Sequence, residues 1–257
     1  MASYARVSLP DGPAWGRVDG EAIRLIDGSP LAGRVRETGA WVPVAGARLL
    51  APCEPTKIVC LGMNYASHAR EIGLPIPDDP AMFMKPVSAL AGHGDAIVLP
   101  ARSDRVEHEA ELAFVIGRRA HRIRPEEALS HVFGYTCAND VTARDIQTRG
   151  GNYLNVVWSK AYETFCPVGP VLVAGDIDPD DVLVECRVNG ALRQSESTRD
   201  FIFPVATQIA WISQIMPLEV GDLVLTGTPK GVGRLVAGDV VEISISGIGT
   251  LSNPVRS

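Results

Sequence analysis

Residues 181–197 read DVLVECRVNGALRQSES, two strand-like runs joined by Asn189-Gly190. An Asn-Gly pair favours the tight turn whose twist matches that of two antiparallel strands, so this stretch predicts a β-hairpin. Similar runs occur on both sides of it, and the clearest are AMFMKP (81–86), AIVLP (96–100), VEHEAELAFVIG (106–117) and GDVVEISISGIGTLSNPV (238–255). The hairpin and its neighbours therefore predict a protein dominated by strands.

Helical patterns are few and do not alternate regularly with the strands. Pro204 opens a helical pattern that places Val205, Ile209 and Ile212 on one face. The run EEALSHVFGYTCAND (126–140) predicts a helix that leads into a strand. Because Rossmann and TIM folds require regular alternation of strand and helix, both are disfavoured. We predict an α+β, β-rich fold.

The length of 257 residues suggests one large domain, or one domain with a small appendage. Residues 1–50 alternate short apolar runs with turn pairs such as Asp11-Gly12 and Asp19-Gly20, which is typical of a β-meander. We therefore predict a small N-terminal β domain over residues 1–50 and a second domain, with the candidate chemistry, over residues 51–257.

Composition excludes several classes of protein. With 24 Lys+Arg against 30 Asp+Glu, the formal net charge is −6, so the basic face that nucleic-acid binding requires is not expected. The most apolar stretch, 201–216, is interrupted by proline and glutamine, so no membrane span is expected. The first residues do not resemble a signal peptide, and the five cysteines show no CxxC spacing. We expect free thiols and a cytoplasmic protein.

Carboxylates follow each other at alternate positions of VEHEAELAFVIG. Because side chains alternate along a strand, Glu107, Glu109 and Glu111 share one face. That face is either a solvated acidic surface or part of a cation site. Asp140 follows an apolar run and is either the cap of the next helix or a third carboxylate of the same site. An all-oxygen ligand set would select a hard cation such as Mg²⁺ or Mn²⁺.

A histidine and a glutamate lie three residues apart in YASHAREI, a short helical pattern that Asn64 could cap and Gly73 could end. Residues three apart share a helix face, so His68 and Glu71 are either a surface pair or a proton-transferring dyad. In the dyad, the glutamate would orient the imidazole and the histidine would move protons.

Lysine is rare in this chain, because only Lys57, Lys85, Lys160 and Lys230 stand among the 24 basic residues. Ammonium and guanidinium groups are not interchangeable in a site, so each lysine is a candidate functional residue.

Several familiar motifs are missing from the sequence. TGTPKGVG (226–233) lacks the spacing of a phosphate-binding loop, no GxGxxG follows a strand, and no GxSxG occurs. Nucleotide binding, dinucleotide binding and serine-hydrolase chemistry are therefore disfavoured.

From about Lys57 to Pro254 the chain resembles the fumarylacetoacetate hydrolase family. The first 50 residues are similar to the N-terminal domain of bacterial members named 2-hydroxyhepta-2,4-diene-1,7-dioate isomerases. No single segment is diagnostic, but together, ordered and nearly gapless, the segments are specific: KIVCLGMNYASHAREIG (57–73), FMKP (83–86), HEAELAFVIG (108–117), GYTCANDVTARDIQ (134–147), WSKAYETFCPVGP (158–170), VNGALRQSESTRDFIF (188–203), LEVGDLVLTGTPKGVG (218–233) and GDVVEISISGIGTLSNPV (238–255).

The resemblance implies a mixed β-sheet roll and a set of site residues. It implies that Mg²⁺ or Mn²⁺ is bound by Glu109, Glu111 and Asp140, and that Glu107 lies outside the motif and is exposed. Catalysis is assigned to His68, Glu71 and Lys160, with the dyad on a short lid helix. The implied substrate-binding residues are Lys85, Arg144, Gln147 and Thr228.

Two positions depart from the family pattern. Glu163 stands where many members have aspartate after the active-site lysine, which puts the hydrogen bonding beside Lys160 in doubt. Asn64 replaces the aspartate that fumarylacetoacetases use as an extra metal ligand, which argues against that substrate.

The implied activity is chemistry on a 2-oxo or 2-hydroxy-dienoate through an enolate that the metal stabilises. We expect a 2-hydroxyhepta-2,4-diene-1,7-dioate isomerase or decarboxylase of aromatic catabolism that forms a homodimer. The alternative is an acylpyruvate hydrolase of the fumarylpyruvate type, or an oxaloacetate decarboxylase. A metal-binding scaffold without catalysis is disfavoured because the dyad and the lysine are all present.

Overall fold

The computed structural model describes residues 1–150, 155–175 and 177–257, and most of its regular structure is β-strand. In this part of the chain the strands are β1 (Ala2–Leu9), β2 (Gly12–Asp19), β3 (Ala22–Ile26), β4 (Glu37–Pro43), β5 (Leu49–Leu50), β6 (Ile58–Gly62), β7 (Ala81–Lys85), β8 (Leu90–Ala91), β9 (Ile97–Val98), β10 (Val106–His108), β11 (Ala110–Ile116), β12 (Val132–Asn139), β13 (Thr142–Ala143), β14 (Cys166–Ala174), β15 (Leu183–Val188), β16 (Ala191–Ser197), β17 (Leu223–Leu225), β18 (Gly233–Leu235), β19 (Val240–Ile245) and β20 (Gly249–Arg256).

The helices are short, with one exception near the C-terminal third of the chain. They are α1 (Ala66–Glu71), α2 (Pro125–Ala128), α3 (Arg144–Gln147), α4 (Val156–Lys160) and α5 (Val205–Ile215), with 3-10 turns at Pro30–Ala32, Val87–Ala89, Leu129–His131 and Thr198–Asp200.

The largest sheet among the described residues is mixed and has 12 strands. Its strand order is β4-β3-β2-β1-β14-β12-β11-β17-β6-β7, and β5 and β8 pair with β1 and β14 off this path. Strands β17 and β6 are parallel, whereas β11 pairs antiparallel with both β12 and β17. The predicted α+β, β-rich fold with a mixed sheet is confirmed.

The N-terminal strands extend this sheet at one end. Strand β1 pairs with β14, with Ala2 opposite Ala174, and β2, β3 and β4 follow outward in order. The boundary that we place near residue 50 stays a prediction.

Two smaller sheets complete the structure. One has the order β16-β15-β19-β20-β9 and the other has the order β13-β10-β18. Apolar residues from the main sheet, such as Leu112 and Phe114, share a buried cluster with Val184, Ile243 and Leu251 of the five-stranded sheet. The core therefore lies between these two sheets, since burial of their facing apolar sides is the dominant favourable term in folding.

Local patterns predicted the hairpin and the long helix correctly. Asn189 and Gly190 both have positive φ, at 52° and 78°, between β15 and β16, as the predicted tight turn requires. Helix α5 begins directly after Pro204 and buries Val205, Ile209 and Ile212. The predicted succession of helix and strand over 126–140 is present as α2 and β12.

The long strand predicted over 106–117 is wrong in one respect, because it is broken at Glu109. Strand β10 belongs to the three-stranded sheet, and β11 belongs to the centre of the main sheet. At the break, the Glu109 N–H donates to Asn139 Oδ1 at 2.9 Å and the Glu109 carbonyl accepts from the Asp140 N–H at 2.9 Å. The chain thus passes from one sheet to another at the glutamate that enters the candidate site.

In the described part of the chain, no helix has the length and apolarity needed to cross a membrane. The five cysteines are free and buried, as the sequence predicted for the thiols.

Candidate active site

Three buried carboxylates converge where β11 begins and β12 ends. Glu109, Glu111 and Asp140 each offer an oxygen, and these oxygens all lie within 4.8 Å of one another. The antiparallel pairing of Ala110 with Asn139 explains the convergence, because it brings the residues flanking the two strand ends together. We call these three residues the acidic cluster. Because all three are buried, the alternative interpretation of the strand face as a solvated acidic surface is wrong.

Asp140 does not cap the following helix. The residue at the N-cap of α3 is Ala143, and both oxygens of Asp140 accept from lysines instead. Lys85 Nζ donates to Asp140 Oδ1 at 2.6 Å, and Lys160 Nζ donates to Oδ2 at 2.5 Å. The capping alternative for Asp140 is therefore wrong.

Lys160 connects two members of the acidic cluster. Its Nζ also donates to Glu109 Oε2 at 2.9 Å and to Thr142 Oγ1 at 2.7 Å. Burial lowers the pKa of Lys160, but the negative charges of Asp140 and Glu109 outweigh burial and raise it. Lys160 is therefore an ammonium ion placed against the carboxylates.

Glu109 and Glu111 sit in opposite electrostatic environments. Burial alone would raise the pKa of Glu109, but Lys160 and Arg144 outweigh it and hold that pKa well below its usual range. The pKa of Glu111 is raised well above its usual range by burial and by the charges of Asp140 and Glu109. Among the described residues Glu111 forms no ion pair, and its Oε2 accepts only from the Gly227 N–H at 2.7 Å. Glu111 is therefore the one carboxylate of the acidic cluster that has no cationic partner among the described residues.

A hard cation fits this imbalance. Three carboxylate oxygens within reach of one centre are the donors that Mg²⁺ and Mn²⁺ prefer. Buried charges are normally paired or coordinate metals, and Glu111 has no cationic partner among the described residues. The residues present thus fit a divalent metal, although their assignment as ligands stays a prediction.

The expectation that Glu107 is exposed is wrong. Its side chain is buried and accepts from Arg105 Nε and from Arg144 Nε, each at 2.6 Å. Arg144 in turn donates to Glu109, and its Nη1 donates to Gln147 Oε1 at 2.5 Å. Strand β10 pairs with β13, with Glu107 opposite Thr142, and this pairing brings Glu107 close to Arg144. Glu107 therefore provides part of the counter-charge that holds Arg144 beside the cluster.

The two residues of the predicted dyad are within hydrogen-bond distance on α1, while their role in proton transfer stays a prediction. His68 Nδ1 lies 3.1 Å from Glu71 Oε2, and His68 is buried while the Glu71 side chain is 38% exposed. Glu71 Oε1 also accepts from the Gly231 N–H at 3.0 Å. Since Glu71 occupies Nδ1, the other ring nitrogen of His68 is the one left to exchange a proton with a ligand.

The predicted cap of this helix is wrong. Tyr65 is at the N-cap of α1, and the Ser67 N–H donates to Asp200 Oδ2 at 2.8 Å. Asn64 instead donates to the carbonyls of Thr226 at 2.8 Å and Phe203 at 3.2 Å. Asn64 therefore joins two distant segments, a role that local sequence does not indicate.

One cavity of about 320 Å³ contains both the acidic cluster and His68. Two of the predicted site residues, Lys85 and Glu71, do not line this cavity. Each contacts a residue that does: Lys85 donates to Asp140, and Glu71 is hydrogen-bonded to His68. Nine of the lining residues are apolar or glycine: Leu61, Gly62, Met63, Ile72, Leu74, Ala81, Met82, Phe83 and Val156. The polar lining residues are Glu109, Glu111, Asp140, Lys160, Arg144, Gln147, Thr228 and His68.

The four lysines divide into two pairs. Lys85 and Lys160 contact the acidic cluster, whereas Lys57 pairs with Asp222 and Lys230 is exposed, 3.9 Å from Glu196. Of the four lysines that the sequence marked as candidates, two therefore lie in the candidate site and two lie outside it.

Sequence reasoning missed Gln194, which is buried behind Thr228 in β16. It is a buried polar residue in a strand whose other residues are mostly exposed. A glutamine in a hairpin strand carries no sequence signal of its own, so only the contacts reveal it.

The comparisons with known proteins give a consistent picture. The profile of the family described as "Fumarylacetoacetate (FAA) hydrolase C-terminal" matches residues 57–256, and that described as "Rv2993c-like, N-terminal" matches residues 3–52. The chain is 46% identical over 217 residues to a mitochondrial oxaloacetate tautomerase of Xenopus laevis, covering 80% of this chain and 68% of that protein.

Two solved structures are also informative. The crystal structure of 2-hydroxyhepta-2,4-diene-1,7-dioate isomerase from Mycobacterium marinum is similar with a TM-score of 0.90 and 41% identity, covering 100% of this chain and 98% of that one. A fumarylpyruvate hydrolase from Pseudomonas aeruginosa, in complex with Mn²⁺ and pyruvate, gives a TM-score of 0.74 and 32% identity, covering 79% of this chain and 91% of that one.

Proposed function

The chain belongs to the fumarylacetoacetate hydrolase family, and from this premise we propose that it is a divalent-metal-dependent enzyme acting on 2-oxo or 2-hydroxy-dienoate carboxylates. The observation that carries the proposal is a cavity lined by both the acidic cluster and His68 of the dyad. A metal site and a proton-transferring group in one cavity suit a substrate whose carboxylate end is held while a neighbouring carbon gains or loses a proton.

A bound Mg²⁺ or Mn²⁺, held by Glu109, Glu111 and Asp140, would supply Lewis-acid stabilisation of the enolate at the 2-oxo acid end of the substrate. The presence of Mn²⁺ in the structure of the fumarylpyruvate hydrolase supports this choice of cation.

The protein's own residues would perform the remaining steps. Lys160 places a buried ammonium where negative charge develops on substrate oxygen, and Arg144 orients Glu109. His68, oriented by Glu71, takes a proton from one substrate atom and returns it to another. The apolar lining residues, such as Phe83 and Ile72, would limit access of water to this transfer.

For the substrate, we propose 2-hydroxyhepta-2,4-diene-1,7-dioate and its isomerisation, with decarboxylation of the related tricarboxylate as a linked reaction of aromatic catabolism. The full-length similarity to the isomerase from Mycobacterium marinum supports this choice. Hydrolysis of an acylpyruvate would use the same site, with His68 activating water instead of protonating carbon.

A second candidate is interconversion of the keto and enol forms of oxaloacetate, or its decarboxylation. The 46% identity to the oxaloacetate tautomerase of Xenopus laevis favours it. Tautomerisation needs only a proton transfer beside a chelated 2-oxo acid, which the same groups can perform. The resemblance to the family also supports a homodimer, which light scattering after size-exclusion chromatography would test.

A substrate panel tests the proposal. The protein is incubated with Mg²⁺ or Mn²⁺ and, in turn, 2-hydroxyhepta-2,4-diene-1,7-dioate, oxaloacetate, acetylpyruvate and fumarylpyruvate, and absorbance and product identity are followed. We expect turnover of at least one substrate, loss of turnover with a chelator, and recovery when the metal is restored. Full activity of the chelated, metal-free protein would contradict the proposal.

The dyad is tested by His68→Ala, which should reduce proton transfer by about 100-fold or more, in line with general-base catalysis. Metal affinity should not change, because His68 is not a member of the acidic cluster. The matched control is His121→Ala, since His121 is exposed and does not line the cavity. An equal loss in both variants would exclude the assigned role of His68.

A further inference from the structure

Lys85 contacts the acidic cluster without lining the cavity. It is the last residue of β7, and its side chain is completely buried. Its Nζ donates to Asp140 Oδ1 at 2.6 Å and to the Val141 carbonyl at 3.2 Å. Met82 and Phe83 of the same strand line the cavity, whereas Lys85 does not. A ligand in the cavity therefore meets Asp140 and not the ammonium group that holds it.

The charge of Lys85 depends on Asp140 for its compensation. Among the described residues Lys85 forms no other ion pair, and its second recorded acceptor is the neutral Val141 carbonyl. A buried charge is costly unless it is paired, and loss of one partner of a buried pair is strongly destabilising. Breaking the bond to Oδ1 would leave the ammonium of Lys85 unpaired, so we expect this bond to persist whatever binds in the cavity.

The other oxygen of Asp140 is held by a lysine with alternatives. Lys160 Nζ donates to Asp140 Oδ2 at 2.5 Å, but it also donates to Glu109 Oε2 at 2.9 Å and to Thr142 Oγ1 at 2.7 Å. Lys160 lines the cavity, and it would keep these two acceptors if it released Oδ2. The two oxygens of Asp140 are thus unequal: Oδ1 is fixed by Lys85, and Oδ2 can be transferred to another cation.

Resting on the proposed function, we infer that Lys85 is a positioning residue that retains Asp140 Oδ1 and leaves only Oδ2 to a bound metal ion. This limit of one oxygen selects between cations. Ca²⁺ takes about 6–8 oxygens in flexible geometry and often binds both oxygens of a carboxylate, whereas Mg²⁺ requires near-ideal octahedral geometry. Lys85 therefore favours Mg²⁺ over Ca²⁺, and it acts through Asp140 rather than by contact with the substrate.

The affinities of the metal-free protein for Mg²⁺ and for Ca²⁺, measured by isothermal titration calorimetry, test the inference. The wild type should bind Mg²⁺ at least as tightly as Ca²⁺. In Lys85→Met, Asp140 is no longer held, so Mg²⁺ affinity should fall by about tenfold, as for other groups that orient metal ligands. Ca²⁺ affinity should change by less than about twofold, because Ca²⁺ can also bind the freed Oδ1.

The quantity that decides is the ratio of Mg²⁺ affinity to Ca²⁺ affinity, which should fall by about fivefold or more in Lys85→Met. Loss of the positive charge of Lys85 acts on both divalent cations alike and cancels in this ratio. A general loosening of the fold would likewise weaken both cations together.

Lys57→Met is the matched control. Lys57 also pairs with a buried aspartate, Asp222, but it does not line the cavity and has no recorded contact with the acidic cluster. The substitution removes the same kind of ion pair, so it should lower the thermal midpoint and leave the affinity ratio unchanged. Thermal unfolding of both variants establishes that each is folded.

The outcomes separate this inference from the proposed function. An unchanged ratio in folded Lys85→Met, whether both affinities fall or neither does, would overturn the inference while the proposed function stands. Tighter binding of Ca²⁺ than of Mg²⁺ by the wild type would overturn it as well, without any variant. If the wild type binds no divalent cation, the proposed function fails, and the inference fails with it.

Discussion

Glu107 shows how one buried residue can act on the site from outside the acidic cluster. Glu107 and Glu109 both accept hydrogen bonds from Arg144. The charge of Glu107 therefore neutralises part of the Arg144 charge and weakens the attraction between Arg144 and Glu109. The three glutamates that alternate in the sequence therefore lie in three different environments. Glu107 pairs with arginines, Glu109 pairs with Lys160 and Arg144, and Glu111 has no cationic partner among the described residues.

Glu107→Gln is expected to lower both stability and metal affinity. Removing one charge of a buried ion pair costs about 3 kcal/mol of unfolding free energy. The cost here is smaller, because Arg105, one of the two partners of Glu107, is exposed and solvent screens that ion pair. Arg144 would then bind Glu109 more tightly and compete with the metal. Urea unfolding and Mg²⁺ titration measure the two effects. The control is Glu127→Gln, which changes an exposed pair with Arg124 and should leave both unchanged.

Glu111 should make metal binding depend on pH. In the metal-free protein its pKa is raised, so Glu111 holds a proton at pH values where an ordinary glutamate is ionised. Its contribution to stability is thus present below its unfolded-state pKa and is lost as pH rises through the raised pKa. A metal must displace this proton, so metal affinity should increase with pH through the raised pKa and then level off.

Calorimetry in two buffers of different ionisation enthalpy measures the released proton. Glu111→Gln should bind metal more weakly and without proton release. Glu109 adds little to the effect, because its pKa is held low and it is already ionised. Binding by the wild type with no proton release at any pH would contradict this prediction.

Helix α1 depends on contacts outside itself. It has six residues, and a helix of fewer than about 12 residues is marginal alone. Asp200 accepts from the Ser67 N–H at its start, and Gly231 donates to Glu71 at its end. The position of His68 in the cavity is thus set by two segments far away in sequence.

Asp200→Ala should loosen α1 by removing an N-terminal acceptor, a loss of about 1 kcal/mol for a capping residue. Amide hydrogen exchange over residues 66–72 should accelerate, and turnover should fall while metal affinity remains. The control is Asp181→Ala. Asp181 accepts a hydrogen bond from Arg199, the residue before Asp200, and has no recorded hydrogen bond to α1. Unchanged exchange in Asp200→Ala would show that Asp200 does not hold the helix.

At the scale of the whole molecule, the acidic cluster lies where the main sheet meets the three-stranded sheet. The break at Glu109 joins β10 to β11, and Asp140 joins β12 to β13. A cation at the cluster would bind the folded protein and not the unfolded chain, and would thus stabilise the junction of both sheets.

Saturating Mg²⁺ or Mn²⁺ should therefore raise the thermal midpoint. A ligand at 100 times its Kd adds about 2.7 kcal/mol, which corresponds to roughly 5–10 °C for a protein of this size. Differential scanning fluorimetry with and without a chelator measures the shift. The double variant Glu109→Gln, Glu111→Gln should show no metal-dependent shift; a shift equal to that of the wild type would place the metal elsewhere.

The sequence by itself determined the β-rich fold, the hairpin at Asn189-Gly190 and helix α5, because turn chemistry and apolar periodicity act within a few residues. Residue order also indicated which segments would supply the cavity, and His68, Glu109, Glu111, Asp140 and Lys160 all line it. Their catalytic and metal-binding roles stay predictions that the experiments above address.

Only the tertiary structure decided the burial of Glu107, the break at Glu109 and the partners of Asn64. Each depends on contacts between distant segments: Glu107 with Arg144, 37 residues away, and Asn64 with Thr226, 162 residues away. Alternation along a strand assigns a face but not the sheet to which each part of the strand belongs. A helix-capping preference is weak when a distant N–H, here that of Phe203, donates to the same side-chain oxygen. Local energies select elements; the long-range hydrogen bonds of buried polar groups, which must be satisfied, determine where each site residue finally lies.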